Sequence, residues 1–287
     1  MTKQSSFEAE LKLRIKKVDD FIHTYFASLK LPEGAAVTEL KDSMYYSAGA
    51  GGKRFRPVLS LLVAESFGCA TDRILPFAAA VELIHTYSLI HDDLPTMDND
   101  DVRRGKPTNH KVYGETTALL AGDALLTEAF LLIADKYQND GTLCAKLTSL
   151  LSRAAGIRGM VGGQAIDLKA QNLTSEELTR LHELKTGRMI QVAAEGAAMI
   201  AGAGASQVQS FADFGRYLGL AFQVADDVLD QDDKDQGPRS FVTLLGVDGT
   251  RKYLNEISAK AIAILKTQTQ KSLILEQMIE FNQLRQS

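Results

Sequence analysis

Apolar residues recur every three to four positions along most of the chain, which is the spacing of one face of an α-helix. The first such stripe consists of Leu11, Ile15, Val18, Ile22, Tyr25 and Leu29. Similar patterns predict helices at 36–48, 57–67, 73–94, 115–137, 141–158, 174–201, 207–231 and 249–283. Alternating strand patterns bounded by turn residues are missing from the sequence, which therefore predicts an all-α fold.

Two of these segments, 72–91 and 115–137, are apolar on most faces. Helices of that kind belong at the centre of a helical bundle. The sequence contains no Gly/Ser-rich or Pro-rich linker, so we expect a single large domain over residues 1–287. A chain of this length can bury about 75% of its unfolded surface. At the start of the 174–201 helix, Thr174 and Glu177 have the spacing of a capping box.

The charge of the chain is ordinary in total but uneven in distribution. The 287 residues hold 32 Lys and Arg against 36 Asp and Glu, a net charge of −4, which gives no basic excess to suggest a nucleic-acid partner. Residues 92–101 and 226–235 each carry −5, so the rest of the chain carries +6. The two acidic segments call for a local explanation.

The two cysteines, Cys69 and Cys144, lack the spacing of a metal site and are expected to be buried thiols. The N-terminal segment has no apolar core of a secretory signal. No apolar run approaches the roughly 18–20 residues that span a bilayer. These features predict a cytoplasmic protein with no stable membrane insertion.

The second acidic segment lies inside a helical pattern. Asp226 and Asp230 are four residues apart, and Asp227 and Asp230 are three apart, so all three carboxylates can project from one face. Like charges at this spacing repel each other, and the preceding turns are apolar. We therefore expect a bound cation, and carboxylate oxygens favour Mg²⁺ or Ca²⁺ over zinc.

The first acidic segment follows an apolar helix. Asp92 and Asp93 end that helix, and Asp98 lies six residues beyond Asp92, about 240° away on a regular helix. The three carboxylates can share an ion only if the helix is distorted between them, and Pro95 supplies a cause of distortion.

Two basic groups in the sequence could bind a diphosphate. Arg103 and Arg104 follow the first acidic segment, and the segment 51–57, GGKRFRP, precedes a predicted helix. Glycines permit close backbone approach, Pro57 suits a first helical turn, and a helix N-terminus favours an anion. Since Mg²⁺ commonly binds through one or two carboxylates and substrate phosphates, this combination fits a diphosphate held between metal ions and arginines.

Taken together, these residues resemble the trans-type prenyl diphosphate synthases, the farnesyl and geranylgeranyl diphosphate synthase family, in its bacterial and plant branch. The matching segments are 51–57, 82–110, 162–168, 185–187, 222–230 and 240–246. The resemblance implies an isoprenoid-synthase helical bundle around a central cavity, and a homodimer.

The resemblance also implies a head-to-tail condensation of isopentenyl diphosphate with dimethylallyl or geranyl diphosphate to give farnesyl diphosphate. Two or three Mg²⁺ ions would bridge the diphosphate to Asp92, Asp93, Asp98, Asp226, Asp227 and Asp230. Isopentenyl diphosphate would be held by Lys53, Arg56, His85 and Arg104. The allylic substrate would be contacted by Arg103, Lys185, Thr186 and Gln223, with Gln164 and Asp167 in support and with Lys185 among the catalytic residues.

The sequence departs from the family after Asp230. The loop there is short, and Pro238 stands where the family has a lysine. Arg239 and Lys234 are the candidates for the missing cation.

In this family, the residues four and five before the first aspartate help to set product length, and here they are Ser88 and Tyr87. At 1.5 Å per residue, Tyr87 lies about 7.5 Å along the helix from Asp92. A bulky ring there favours a farnesyl product, whereas Ser88 is small and blocks nothing. The alternative for Tyr87 is simple core packing.

Several alternatives stay open at this point. The enzyme could be a geranylgeranyl diphosphate synthase, or a catalytically weak homologue that serves as a partner subunit. An HD-type metal phosphohydrolase would need more histidine ligands and leaves Arg103, Arg104 and segment 51–57 unexplained. A terpene cyclase would not need that basic segment to hold a second diphosphate.

Overall fold

The computed structural model describes residues 3–229, 240–268 and 273–284. Within this part of the chain, the structure is helical apart from one two-stranded hairpin, so the all-α prediction is confirmed. The helices are α1 Lys3–Ser28, α2 Ala35–Ala48, α3 Phe55–Ser66, α4 Thr71–Asp92, α5 Asn109–Tyr113, α6 Glu115–Tyr137, α7 Gly141–Ala155, α8 Met160–Asp167, α9 Ser175–His182, α10 Arg188–Ile200, α11 Ala205–Leu229, α12 Phe241–Gln268 and α13 Leu273–Leu284. A π-helical turn, Glu183–Gly187, joins α9 to α10.

The chain divides into two compact units. The first unit consists of the chain up to Leu61 together with Leu75–Cys144, and the second consists of Leu62–Ile74 together with the chain from Ala145 onward. The prediction of a single domain over 1–287 stays a prediction.

In the first unit, α4 forms much of the core. Its residues Phe77, Leu83 and Ile84 are buried to 1% exposure or less. The short helix α5 is tied to α2 by Asn109, whose side-chain nitrogen donates to the carbonyl of Ser43. The apolar stripe thus places α4 in the core, and the polar tie holds α5 against α2.

A tight hairpin lies between α4 and α5, and the sequence pattern did not predict it. Strand β1 Val102–Arg103 pairs antiparallel with β2 Lys106–Pro107. The two turn residues between them, Arg104 and Gly105, have positive φ angles of 54° and 74°. This is the backbone twist of a two-residue hairpin turn. Strands of two residues are too short to show an alternating pattern.

The prediction that 115–137 lies at the centre of a bundle is wrong for one face of α6. Leu119, Leu120 and Leu131 are each between 46% and 49% exposed. By length and composition, both α4 and α6 could cross a bilayer, although the sequence analysis found no apolar run of that length. Burial separates the two, since 78% of the apolar window of α4 is buried but only 39% of that of α6.

In the second unit, helices α9, α11 and α12 pack around a core that includes Leu181, Leu220, Phe241 and Leu254. The capping box at the start of α9 is confirmed, because Thr174 and Glu177 bond each other's backbone N–H. The predicted helix 174–201 is divided by the π-helical turn, and α12 contains a break at Gly246, where φ is 68°.

Three glycines bring backbone into contact with backbone around the π-helical turn. A Cβ on Gly163 of α8 would lie 2.4 Å from the amide nitrogen of Lys185, and a Cβ on Gly219 of α11 would lie 2.7 Å from Cα of Gly187. Only glycine allows such approach. The position of the π-helical turn therefore depends on α8 and α11 meeting it without side chains between them.

Replacement of Gly163 by alanine should lower the free energy of unfolding by about 1–3 kcal/mol, because the new methyl group meets backbone that cannot move aside. Thermal and urea denaturation would measure the loss. The control is Gly141→Ala, whose Cβ would find no atom within 4 Å. Equal stability of both variants and the wild type would show that the contact is not tight.

Candidate active site

The first aspartate motif is built where α4 ends. Asp92 is the last residue of α4, and its carbonyl accepts a hydrogen bond of 2.8 Å from the backbone N–H of Asp98. The chain around Pro95 thus forms a turn instead of a kinked helix. The distortion that the sequence required is present, and it brings the backbone of Asp98 back to that of Asp92.

Asp93 is engaged by the protein itself. It is 3% exposed, and its Oδ1 accepts bonds from Nε and Nη2 of Arg103, at 2.9 and 2.5 Å. Burial raises the pKa of Asp93, and Arg103 counteracts that shift. Arg103 also donates to Asp100 at 2.7 Å, so its guanidinium group links two aspartates of the acidic segment.

The basic segment 51–57 is shaped by Arg104. Nη1 of Arg104 donates to the carbonyl of Gly51, and a Cβ on Gly52 would lie 2.8 Å from the Arg104 guanidinium carbon. Gly51 and Gly52 have φ angles of 78° and 121°. The arginine side chain is therefore what approaches Gly52 closely, whereas the approach of an anion to these glycines stays a prediction. Lys53 is exposed and Arg56 is half-buried.

His85 lies on α4 among arginines. Its pKa is lowered well below the usual value, first by burial and then by the charges of Arg56, Arg104, Arg54 and Arg103. The imidazole is therefore neutral at pH 7. Three of these arginines were predicted from the sequence as site residues, and the first unit brings them together around His85.

Tyr87 and Ser88 are the predicted chain-length residues. Tyr87 is 5% exposed, with its ring edge-on to that of His91 at 5.7 Å. Burial, aided by Asp92, raises the pKa of Tyr87 to about 12. The hydroxyl of Ser88 donates to the carbonyl of His85, so it turns back to its own helix.

His91 has a structural role next to Asp92. Its Nε2 donates to the carbonyl of Leu119 at 3.0 Å, and a Cβ on Gly122 would lie 2.1 Å from that nitrogen. The histidine thus packs against α6 where Gly122 leaves room. This contact joins the end of α4 to α6.

In the second unit, the π-helical turn carries Lys185 and Thr186. Nζ of Lys185 donates to Oδ2 of Asp167 at 2.6 Å, and the hydroxyl of Thr186 donates to Oε1 of Gln223 at 3.0 Å. Gln164 is half-buried on the same helix as Asp167. Single π-helical turns occur often at functional sites, where they redirect side chains.

Asp226 and Asp227 stand near the end of α11, and they differ in environment. Asp226 is half-buried, whereas Asp227 is 7% exposed and its Oδ2 accepts a bond of 2.7 Å from the N–H of Phe241. The second aspartate of each motif is therefore buried and bonded to the protein. Asp230, Lys234, Pro238 and Arg239 lie outside the described residues.

His182 was missed by the sequence reasoning. It is 7% exposed, its Nε2 lies 3.9 Å from Oδ2 of Asp227, and its ring lies against Phe241. Burial lowers the pKa of His182 to about 4. Its position one helical turn before Lys185 was the only signal in the sequence.

Metal binding can be judged from the carboxylates that the structure describes. Among these residues, no three acidic, histidine or cysteine side chains converge on one point. Mg²⁺ does not need such a cluster, because it keeps waters and binds through one or two carboxylates and phosphates. The oxygen donors at the end of α4 and near the end of α11 fit that requirement.

The second unit also contains a cavity of about 880 Å³ between α8, α9 and α12. Its walls include Ile166, Leu184 and Tyr253 with Arg158 and Arg188. None of the residues predicted for the site lines it. The volume of this cavity is therefore not evidence that it binds a substrate.

The described site residues fall into two sets. The first unit holds Lys53, Arg56, His85, Tyr87, Ser88, Asp92, Asp93, Asp98, Arg103 and Arg104. The second unit holds Gln164, Asp167, Lys185, Thr186, Gln223, Asp226 and Asp227.

Comparison with known proteins gives consistent findings. The polyprenyl synthetase family profile matches residues 37–283. A farnesyl diphosphate synthase of Geobacillus stearothermophilus is 47% identical over 231 residues, which are 79% of this chain and 76% of the relative. A geranylgeranyl diphosphate synthase of Cyanophora paradoxa is 47% identical over 197 residues, 67% of this chain and 66% of the relative. The crystal structure of an FPP/GFPP synthase from Zymomonas mobilis superposes with a TM-score of 0.89 at 36% identity, covering 96% of this chain and 99% of that one.

Proposed function

The chain belongs to the polyprenyl synthetase family, and we propose that this prenyltransferase condenses isopentenyl diphosphate with dimethylallyl or geranyl diphosphate to form farnesyl diphosphate. The observation that carries the proposal is the arrangement in the first unit. There, one helix presents His85 to a group of arginines and ends in Asp92. A site that gathers carboxylates and arginines in this way suits a diphosphate bound with metal ions.

We propose that two or three Mg²⁺ ions are held by the two aspartate motifs, Asp92, Asp93, Asp98, Asp226, Asp227 and Asp230. When bound, the ions would neutralise the negative charge that the leaving diphosphate develops. The contacts of Asp93 with Arg103 and of Asp227 with Phe241 would hold the motifs in place for these ions.

The isopentenyl diphosphate site consists of Lys53, Arg56, His85 and Arg104. Arginine and lysine bind phosphate oxygens through charge-assisted hydrogen bonds. Because the pKa of His85 is depressed, its neutral ring donates one hydrogen bond and adds no charge to this basic group.

The allylic diphosphate is assigned to Arg103, Lys185, Thr186 and Gln223. The hydrogen bond from Lys185 to Asp167 restrains the flexible lysine side chain. Gln164 lies on α8 with Asp167 and is assigned a supporting role. Fixed donors stabilise developing charge better than mobile ones, because they need no reorganisation during the reaction.

The reaction then runs in three parts. The C1–O bond of the allylic diphosphate breaks and leaves an allylic cation. The double bond of isopentenyl diphosphate attacks C1 through its C4 carbon, and a proton is lost from C2, for which the released diphosphate is the base. Lys185 and Arg103 would hold that diphosphate in place after the bond has broken.

With Mg²⁺, isopentenyl diphosphate and dimethylallyl or geranyl diphosphate, the protein should release farnesol after phosphatase treatment, and a chelator should abolish the product. Asp92→Asn should reduce turnover on the order of 10²- to 10³-fold, the cost of removing one electrostatic contact to a developing charge. The control Asp20→Asn changes an exposed carboxylate that pairs with Lys16 and should be neutral. Absence of elongation with every allylic primer would indicate a silent homologue, and phosphate release from nucleotides would indicate a phosphohydrolase.

We propose that Tyr87 is the floor that limits product length. Tyr87→Ala should lengthen the main product by at least one C5 unit, because the buried ring is removed below Asp92. Chromatography of the dephosphorylated alcohols measures the product, with Ser88→Ala as a neighbouring control that should not change it. A wild-type product of C20 would instead favour geranylgeranyl diphosphate synthesis, and an unchanged length in Tyr87→Ala would leave this ring as core packing.

We propose that the chain forms a homodimer through the exposed face of α6. Its three leucines, Leu119, Leu120 and Leu131, would be covered by a second copy. Leu120→Glu should convert the dimer to a monomer in sedimentation velocity, whereas Leu13→Glu on α1, also exposed, should not. Sedimentation of the wild type at the mass of one chain would contradict the proposal.

The proposals that the protein is cytoplasmic and does not insert stably into membranes rest on burial and thiol chemistry. Most of the apolar window of α4 is buried, the exposed face of α6 is assigned above to the homodimer, and both cysteines are free thiols. Free thiols are typical of a reducing compartment. Recovery of the protein in the membrane fraction after cell lysis and a salt wash would contradict both proposals.

A further inference from the structure

A buried carboxylate, that of Glu82, lies next to Arg54 and Arg104 in the first unit. It is on α4, three residues before His85, and is 1% exposed. The sequence reasoning gave it no role, because a single glutamate in an apolar helix has no recognisable spacing. A buried glutamate is nevertheless rare unless it is paired.

The partner of Glu82 is Arg54, which is itself 2% exposed. Nη1 of Arg54 donates to Oε1 of Glu82 at 2.6 Å, Nε donates to Asp19 at 2.8 Å, and Nη2 donates to the carbonyl of Ala48 at 2.6 Å. All three guanidinium nitrogens are thus bonded. Arg54 stands directly before α3, between the two predicted ligands Lys53 and Arg56.

Arg104 converges on the same carboxylate. Its Nη2 lies 3.9 Å from Oε1 of Glu82, while its Nη1 bonds to Gly51. Arg54 and Arg104 both have positive φ angles, 43° and 54°. Such a conformation is unfavourable in a non-glycine residue and persists only where surrounding contacts enforce it.

We propose that Glu82 is a positioning residue for isopentenyl diphosphate binding. Its negative charge holds Arg54 and attracts Arg104, and so sets the path of the chain from Gly51 to Arg56 and the place of the Arg104 guanidinium. Glu82 itself does not contact the substrate. The inference rests on the proposed function, which assigns Lys53, Arg56 and Arg104 to this diphosphate.

Glu82→Gln tests this role, because it keeps the shape of the side chain and removes its charge. The Arg54 guanidinium would then keep only Asp19, whose side chain is 39% exposed, as a charged partner. Arg104 would lose a nearby counter-charge. The KM for isopentenyl diphosphate should rise about 10- to 100-fold, the usual cost of losing a supporting partner behind a ligand-binding group. The KM for the allylic diphosphate should stay within about twofold. Of the residues assigned to it, Arg103 is bonded to Asp93 and Asp100. The other three belong to the second unit.

The matched control is Glu128→Gln. Glu128 lies in the same unit, and its carboxylate accepts a hydrogen bond from the hydroxyl of Tyr25 instead of from an arginine of the basic segment. Its variant should leave both KM values unchanged. If Glu128→Gln raised the KM for isopentenyl diphosphate as much as Glu82→Gln does, the specific role of Glu82 would be refuted.

Arg54→Lys serves as the second variant, in case Glu82→Gln does not fold. It keeps the positive charge and loses the fork that bonds Glu82, Asp19 and Ala48 together, so the same selective rise in KM is expected. The double variant with Arg54→Lys and Glu82→Gln should be no worse than Glu82→Gln alone, because the two residues act as one unit. Additive losses in the double variant would overturn the coupling.

Direct binding separates this inference from the proposed function. Calorimetric titration with isopentenyl diphosphate alone should show a Kd raised about 10- to 100-fold in Glu82→Gln. If the wild type binds this ligand but does not elongate it, the proposed activity fails while the positioning role is still tested. An unchanged Kd, or a parallel change in kcat and both KM values, would refute the positioning role, as would absence of binding by the wild type.

Discussion

The buried ion pair between Arg54 and Glu82 is the interaction on which the basic site of the first unit depends. The positive charges grouped around His85, which the proposed function assigns to diphosphate binding, repel each other. The buried carboxylate of Glu82 counters this repulsion. Because water is excluded around it, its negative charge acts strongly on the neighbouring guanidinium groups. Breaking such a pair is costly because it leaves a buried charge without compensation. The arginines are thus held in place before any substrate arrives.

The aspartate motifs meet the opposite problem with the same kind of solution. Carboxylates at neighbouring positions repel each other, so a motif of bare aspartates would destabilise its helix end. In each motif, the second aspartate is satisfied by the protein: Asp93 by Arg103, and Asp227 by the N–H at the start of α12. These bonds join each motif to the next element of its own unit. The remaining carboxylates are thereby presented from a fixed backbone.

Much of this structure could be predicted from local sequence pattern. The helices follow the apolar period, Thr174 and Glu177 form the expected capping box, and Asp92 ends α4 as its spacing required. What escaped prediction depends on contacts between distant residues or on very short elements. Glu82 and Arg54 are 28 positions apart, His182 meets Asp227 through the fold, and the hairpin at Arg104 is too short for a strand pattern. The sequence of α6 is as apolar as that of a core helix. Its apolar pattern therefore does not show which face is exposed.

The glycine contacts around the π-helical turn have a consequence for how this sequence can vary. Gly163 meets the backbone of Lys185, and Gly219 meets that of Gly187, so main chain rests on main chain. A clash between two side chains can be repaired by shortening either one, but a clash with a backbone has no such second-site remedy. Side chains elsewhere in the second unit can therefore vary more freely than Gly163 and Gly219. The backbone of the π-helical turn is placed by these two glycines, whereas the end of the Lys185 side chain is placed by Asp167.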